Sequence, residues 1–166
     1  EKEDQTAYSN YERLDDDLDL IFREDDSVLL DNTYVVFDFE TTGFNAGGGD
    51  SIIEIGAVKI KNGEIIETFD RLINPGKKLE EHIVNLTHIT DEMLSDCPSE
   101  EEVVKEFIKW TGDLPMVAHN AKFDASFLEM AYQKYNRGTY KNMLIDTLQL
   151  SRALDTEHSR HSLSAL

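Results

Sequence analysis

Asp38 and Glu40 stand two residues apart in the run Val35-Val36-Phe37-Asp38-Phe39-Glu40-Thr41-Thr42-Gly43, which is otherwise apolar, β-branched and aromatic. Such a run reads as a strand, and strand side chains at i and i+2 leave the same face. The two carboxylates therefore point together, while Phe37 and Phe39 face the opposite layer. Burying negative charge there is expensive unless a cation joins it. Adjacent carboxylates make a hard-cation site of the kind that suits magnesium or manganese.

A further carboxylate arrives in Met116-Val117-Ala118-His119-Asn120-Ala121-Lys122-Phe123-Asp124, which reads as a short buried strand, a cap at Asn120 and a helix start. Asp124 then lies in the first helical turn. Phe123, Phe127, Leu128, Ala131 and Tyr135 recur at helical spacing and give that helix the apolar face that anchors it.

The segments Asp38-Phe39-Glu40-Thr41-Thr42-Gly43, Ile52-Ile53-Glu54-Ile55-Gly56-Ala57-Val58 and His119-Asn120-Ala121-Lys122-Phe123-Asp124 occur in that order. Together they resemble the motifs of the DEDD-type 3′-to-5′ exonucleases, a branch of the ribonuclease H-like superfamily, and their joint occurrence is a far stronger signal than any one alone. The resemblance covers residues 34–166. Within the family the likeness is greatest to the proofreading domain of PolC-type bacterial DNA polymerase III, which Asn85-Leu86-Thr87-His88-Ile89-Thr90-Asp91-Glu92-Met93-Leu94 and Ile145-Asp146-Thr147-Leu148 also resemble.

That resemblance implies a phosphodiesterase that removes nucleotides one at a time from a DNA 3′ end, with two divalent cations, Mg or Mn, as cofactors. Two such ions roughly 3.5 to 4 Å apart activate a water on one side of the phosphorus and stabilise the leaving oxygen on the other. By motif position Asp38 is the ligand shared by both ions, Glu40 joins it on one and Asp124 on the other. These three are the catalytic and metal-binding candidates. The Thr41-Thr42-Gly43 turn is implied to pack against the terminal nucleotide, its hydroxyl and backbone N–H groups holding phosphate and sugar, although threonines also simply favour a strand end. Phe44 either stacks on a base or fills core. His119 reads as a structural neighbour of the site more than as its base, and Asn120 as a cap that can also touch substrate. Glu54 either hydrogen-bonds near the nucleotide or pairs with a lysine, and Asp146 caps the last helix. His88 stands where the family's turn has glycine, so it needs an accessible φ.

The family's third motif, a His followed five residues later by an Asp, supplies a general base and a fourth acid. The final segment, which resembles the stretch preceding that motif, does not contain it: at that distance His158 has Leu163 and His161 has Leu166. The domain is therefore expected to be cut short before the motif, and the chain alone to be nearly or wholly inactive.

Composition bounds the rest. At 166 residues and 40% apolar content the chain suits one domain with one core. The sequence has no apolar run of spanning length and no signal-like start, so no membrane partner is expected and a bacterial cytoplasmic location is. The single Cys97 reads as a small, partly buried apolar residue. Net charge is −18, which sits awkwardly with nucleic-acid binding. Half of it lies in residues 1–33, with 12 acids against 3 bases, an acidic flank read as partly disordered or as part of a neighbouring domain. Within it, Leu20-Ile21-Phe22-Arg23 and Ser27-Val28-Leu29-Leu30 read as short strands. Residues 34–166 form the nuclease domain. Their remaining acidity argues for engaging a single-stranded or frayed primer end, with a parent polymerase chain and replisome components providing local concentration.

The fold class read from the pattern is α/β and ribonuclease H-like. Strands are expected over 34–40, 51–60, 64–73, 114–118 and 143–145, an antiparallel meander continued by parallel strands, with Lys61-Asn62-Gly63-Glu64 as a tight hairpin. Helices are expected over 79–86 and 100–110, after Asn120 with Asp124 in the first turn, and after Asp146, flanking this mixed five-stranded sheet. Alternatives of other kinds are a standalone proofreading subunit or other DEDD nuclease, a haloacid-dehalogenase-like phosphatase, whose first motif needs Asp-x-Asp, and a noncatalytic interaction module.

Overall fold

The computed structural model describes residues 32–136, 141–155 and 160–163. The strands expected at 20–23 and 27–30, and His158, lie outside the described residues. Strands β1 (Thr33–Thr41), β2 (Ile52–Lys61), β3 (Glu64–Leu72), β4 (Met116–Ala118) and β5 (Leu144–Asp146) form one sheet in the order β3-β2-β1-β4-β5. The first three strands pair antiparallel; β4 runs parallel to β1, and β5 parallel to β4. This is the expected mixed ribonuclease H-like plan. The hairpin between β2 and β3 turns on Asn62 and Gly63, both at positive φ (53° and 78°), the backbone a two-residue turn matched to strand twist requires.

Five helices accompany the sheet among the described residues: α1 (Glu81–Thr87), α2 (Asp91–Leu94), α3 (Glu100–Thr111), α4 (Lys122–Ala131) and α5 (Thr147–Leu154). α3 begins on a capping box: Ser99 Oγ accepts from Glu102 N–H, and the Glu102 carboxylate accepts from Ser99 N–H at 2.9 Å. Its apolar stripe, Val103, Val104 and Phe107, joins Phe37, Phe39, Phe69, Phe127 and Leu128 in the main core. The Phe107 ring lies between 5.3 and 6.2 Å from those of Phe37, Phe39, Phe69 and Trp110, tilted or edge-on to most of them. The strand face carrying Phe37 and Phe39 is therefore pinned to a helix layer, which leaves Asp38 and Glu40 on the other face.

A bulge interrupts the β1–β2 ladder. Glu40 pairs with Glu54 but Thr41 pairs with Ile52, so Ile53 is extra. Ile52 enters the main core, while Ile53 joins Ile83, Ile89 and Leu94 in a second cluster, with Cys97 packed against it as the small apolar residue expected. That smaller cluster seats α1 and α2.

His88 ends α1 in the left-handed region, φ 62°, and its N–H donates to Val84 O at 2.9 Å. The φ that glycine supplies without strain is thus imposed on a histidine. His88→Gly is expected to raise stability by about 0.5–1 kcal/mol, which urea unfolding will show as a higher midpoint at unchanged slope.

Candidate active site

β4 is short, and that shortness makes the site. Val35 N–H donates to Pro115 O (2.9 Å) and β4 pairs with β1 only as far as Val36↔Val117. Strand N–H groups alternate sides, so Phe39 N–H points the same way as that of Val35 but beyond the end of β4. Asp124 fills the gap: its Oδ1 accepts from Phe39 N–H at 3.0 Å, a buried bond across 85 residues of sequence. Phe39 is the residue between Asp38 and Glu40. One hydrogen bond therefore fixes the α4 carboxylate beside the two on β1.

The chain reaches α4 through Asn120, which does not cap it. The helix starts after Ala121 with no side-chain cap, and Asn120 sits at φ +59° with its N–H donating to Asp146 Oδ1 at 3.1 Å. A sharp reversal is needed between β4 and α4, and asparagine tolerates the left-handed region that makes it. Asp146 does cap α5 as expected, accepting from Leu148 and Gln149 N–H. The same oxygen thus holds both chain reversals at the ends of β4 and β5.

Electrostatically the three acids oppose one another. Asp124 is 2% exposed, and burial followed by the charge of Asp38 pushes its pKa up to about 7, against the lowering by the Phe39 N–H bond. Burial, then Asp38 and Glu54, raises Glu40. Asp38 is exposed as a residue, yet protein packed around its carboxyl raises it by desolvation, opposed by His119. Glu54, directly across from Glu40, is raised by burial and then by Asp70 and Asp38; no lysine pairs with it among the described residues. His119 therefore lies near enough to act on Asp38, while its Nδ1 is 3.0 Å from Thr147 Oγ1.

A cation would relieve this charge, and the donor set suits one: hard carboxylate oxygens, with no ion pair to lysine or arginine among those described for Asp38, Glu40 and Asp124. As the side chains stand, no three His, Cys, Asp or Glu among the described residues gather closely enough to enclose an ion. Gripping one requires the carboxylates to draw inward.

The adjoining loop is braced from within. Thr41 Oγ1 donates to Gly43 O (2.7 Å), and Thr42 Oγ1 accepts from Ser51 N–H (3.0 Å) while donating to Asp50 Oδ1 (3.2 Å). Asp50 Oδ2 also accepts from Asn45 N–H, and a Cβ on Gly43 would lie 2.4 Å from that oxygen, so a side chain at 43 would displace the carboxylate from its bonds. Phe44 is 79% exposed and meets the Phe123 ring edge-on at 6.0 Å; it does not fill core. The chain also holds one His-x4-Asp spacing outside its last segment: His119 stands five residues before Asp124.

Comparison with known proteins agrees with this geometry. Residues 35–166 match the RNase_T family model, described as exonuclease. The chain belongs to that exonuclease family. PolC-type DNA polymerase III of Staphylococcus aureus, strains MW2 and USA300 among the sources, is 50% identical over 153 residues, 92% of this chain and 11% of that protein. The chain thus spans about a ninth of the length of these relatives. Among solved structures, exonuclease X in complex with 5′ overhanging duplex DNA is 26% identical, with a TM-score of 0.63 over 80% of this chain and 70% of that one. Exonuclease I of E. coli, in complex with a dT13 oligonucleotide, shares the fold at 18% identity and TM-score 0.64, over 74% of this chain and 29% of its own. Family membership removes the dehalogenase-like reading, in keeping with Glu40 where that motif needs Asp.

The buried acid makes a pH prediction. Because the folded-state pKa of Asp124 is raised, the folded state holds a proton that the unfolded chain gives up, so this residue's contribution to stability falls as pH rises from about 4 to about 7. Asp124→Asn keeps an oxygen for Phe39 N–H and removes the charge. Without metal it is expected to be more stable than the parent by roughly 1–3 kcal/mol at pH 8 and equal to it at pH 4, as read by urea unfolding at both pH values.

Proposed function

We propose that this chain is the 3′-to-5′ proofreading exonuclease region of a PolC-type replicative bacterial DNA polymerase, removing nucleoside monophosphates from a frayed, single-stranded 3′ end. The observation that carries it is the bond from Phe39 N–H to Asp124 Oδ1, which brings the acid of α4 against the strand that carries Asp38 and Glu40. The 50% identity to PolC over nearly the whole chain supports this over a standalone subunit.

Asp38, Glu40 and Asp124 would hold the divalent cations; such ions, when bound, supply charge against the phosphate and an activated water. The protein's own groups do the rest. Asp124 is positioned by a backbone donor, which would hold one of its oxygens in place and leave the other for a cation. Glu54 lies beside Glu40 and adds negative charge that favours the loaded site. Because their hydroxyls are engaged within the loop, Thr41 and Thr42 present backbone to the terminal nucleotide, and Gly43 lets the strand end approach it closely. Phe44 stacks on a base from its exposed position above Phe123. His119 and Asn120 line the opposite side. The parent polymerase and its replisome partners in the bacterial cytoplasm deliver the primer end. His119 and Asp124 make the one such spacing in this chain, and on this reading the base would come from a further His-x4-Asp segment.

Manganese titrated into residues 1–166 is expected to bind by calorimetry, and Asp38→Asn, Glu40→Gln or Asp124→Asn to abolish most of that heat. A labelled single-stranded oligonucleotide should release little or no mononucleotide until the chain is extended through a further His-x4-Asp segment. Absence of manganese binding, or brisk release by the 166 residues alone, would refute the reading as stated.

A further inference from the structure

Glu100, the first residue of α3, accepts on both carboxylate oxygens from two different parts of the fold. Its Oε1 takes the N–H of Ile52 at 2.9 Å. Its Oε2 takes the Tyr135 hydroxyl at 2.6 Å and Lys134 Nζ at 3.2 Å. The side chain is only 14% exposed, so these bonds are sheltered from competing water.

The two ends of this bridge are not arbitrary places. Ile52 is the register partner of Thr41 at the bulge, one step past the Glu40↔Glu54 pair, so its amide belongs to the strand end that shapes the acidic site. Tyr135 and Lys134 lie in the π-helical turn Tyr132–Asn136 that continues α4, the helix carrying Asp124. A π-helical turn has poor intrinsic stability and persists where surrounding contacts hold it. Here the holding contacts are the packing of Tyr132 and Tyr135 on the main core and the Glu100 carboxylate.

α4 is consequently fastened to the sheet at both ends. At its start Asp124 grips Phe39 N–H; past its end Glu100 grips Tyr135 and Lys134 and ties them to Ile52. We infer that Glu100 is a positioning residue for the nuclease site, holding α4 in the register that keeps Asp124 docked between Asp38 and Glu40. The inference rests on the reading of those acids as the metal site, but the docking itself can be measured without metal, because the Phe39 amide reports it.

Amide hydrogen exchange by NMR on the metal-free chain tests this, with Val58 in the middle of the β1–β2 ladder as the internal reference. In Glu100→Ala both Ile52 and Phe39 amides are expected to exchange about ten-fold faster relative to Val58, and in Glu100→Gln, which keeps an acceptor for Ile52, by less. Tyr135→Phe removes only the far donor; there Phe39 should quicken while Ile52 does not. Manganese affinity in Tyr135→Phe should fall about ten-fold, the usual scale for groups that orient a ligand. A folded Glu100→Ala with a fast Ile52 amide but an unchanged Phe39 amide would reduce Glu100 to a local cap and overturn the inference, as would a rise shared equally by Val58. If Glu100→Ala does not fold, the Tyr135→Phe and Glu100→Gln patterns decide. Should the unmutated chain bind no manganese, the nuclease reading fails, yet the exchange pattern still settles what Glu100 does.

Discussion

The structure turns on a backbone donor that its own sheet does not satisfy. A buried N–H without a partner costs about 1–3 kcal/mol, so a strand that outruns its neighbour needs something to take the next rung. On β1 that something is a carboxylate. The choice has consequences in both directions. It anchors α4 at its first turn, and it requires the loop before α4 to reverse sharply, which Asn120 does at positive φ with Asp146 receiving its N–H. It also places a charged group in a site 2% open to water, beside two more of like sign. A neutral acceptor would have closed the rung at lower electrostatic cost. On the proposed reading, the carboxylate is there for what it holds and not for folding alone.

That use is constrained by how the chain spends its basic residues. Lys59 pairs with Glu67 and lies over the Trp110 ring, Arg71 pairs with Glu106, Lys105 with Glu101 and Lys134 with Glu100. None of these ion pairs reaches Asp38, Glu40 or Asp124. A phosphodiester brought to this face meets carboxylates, and Coulomb repulsion alone would turn it away. Divalent cations are the one partner that both the acids and a phosphate accept, so on the proposed reading metal loading and substrate binding are a single coupled event. The acids' raised pKa values point the same way: protons and cations compete for one set of oxygens, and a falling pH loosens the hold on metal.

Much of this was legible in the residues. Period-two alternation set Asp38 and Glu40 on one face, Asn62-Gly63 marked the hairpin, and the apolar stripe of residues 103–108 marked α3, each because a local rule and the global fold agree. The misreadings occurred where tertiary contacts override local preference. Asn120 carries the side chain of a good helix cap, yet the geometry needed its tolerance of positive φ more. The strand before it was expected from Leu114 but begins at Met116, past Pro115, which can give no ladder N–H. Glu100 reads as one more acid in a helix first turn, where it would favour the dipole; nothing local foretells that its partners are 48, 34 and 35 residues away. The bulge that sends Ile52 and Ile53 to different cores is likewise invisible in a run of uniformly apolar residues.

The loop from Thr42 to Asp50 shows the same logic from the substrate's side. An exposed phenylalanine on a slack loop loses conformational entropy whenever it stacks on a base, and that loss comes straight out of affinity. Phe44 avoids most of it. Behind it, Asp50 receives Thr42 Oγ1 and Asn45 N–H and approaches Lys77 Nζ at 3.8 Å, while Lys77 also donates to Gly49 O at 2.9 Å. Gly43 lets this carboxylate lie where a side chain would stand. Beside it, Phe123 on α4 supports the ring, so the aromatic platform and the Asp124 carboxylate share one helix. On the proposed reading, base and phosphate of a terminal nucleotide would be referred to the same rigid body, a displacement of α4 would disturb both at once, and stacking and cation binding would be two readings of one helix position.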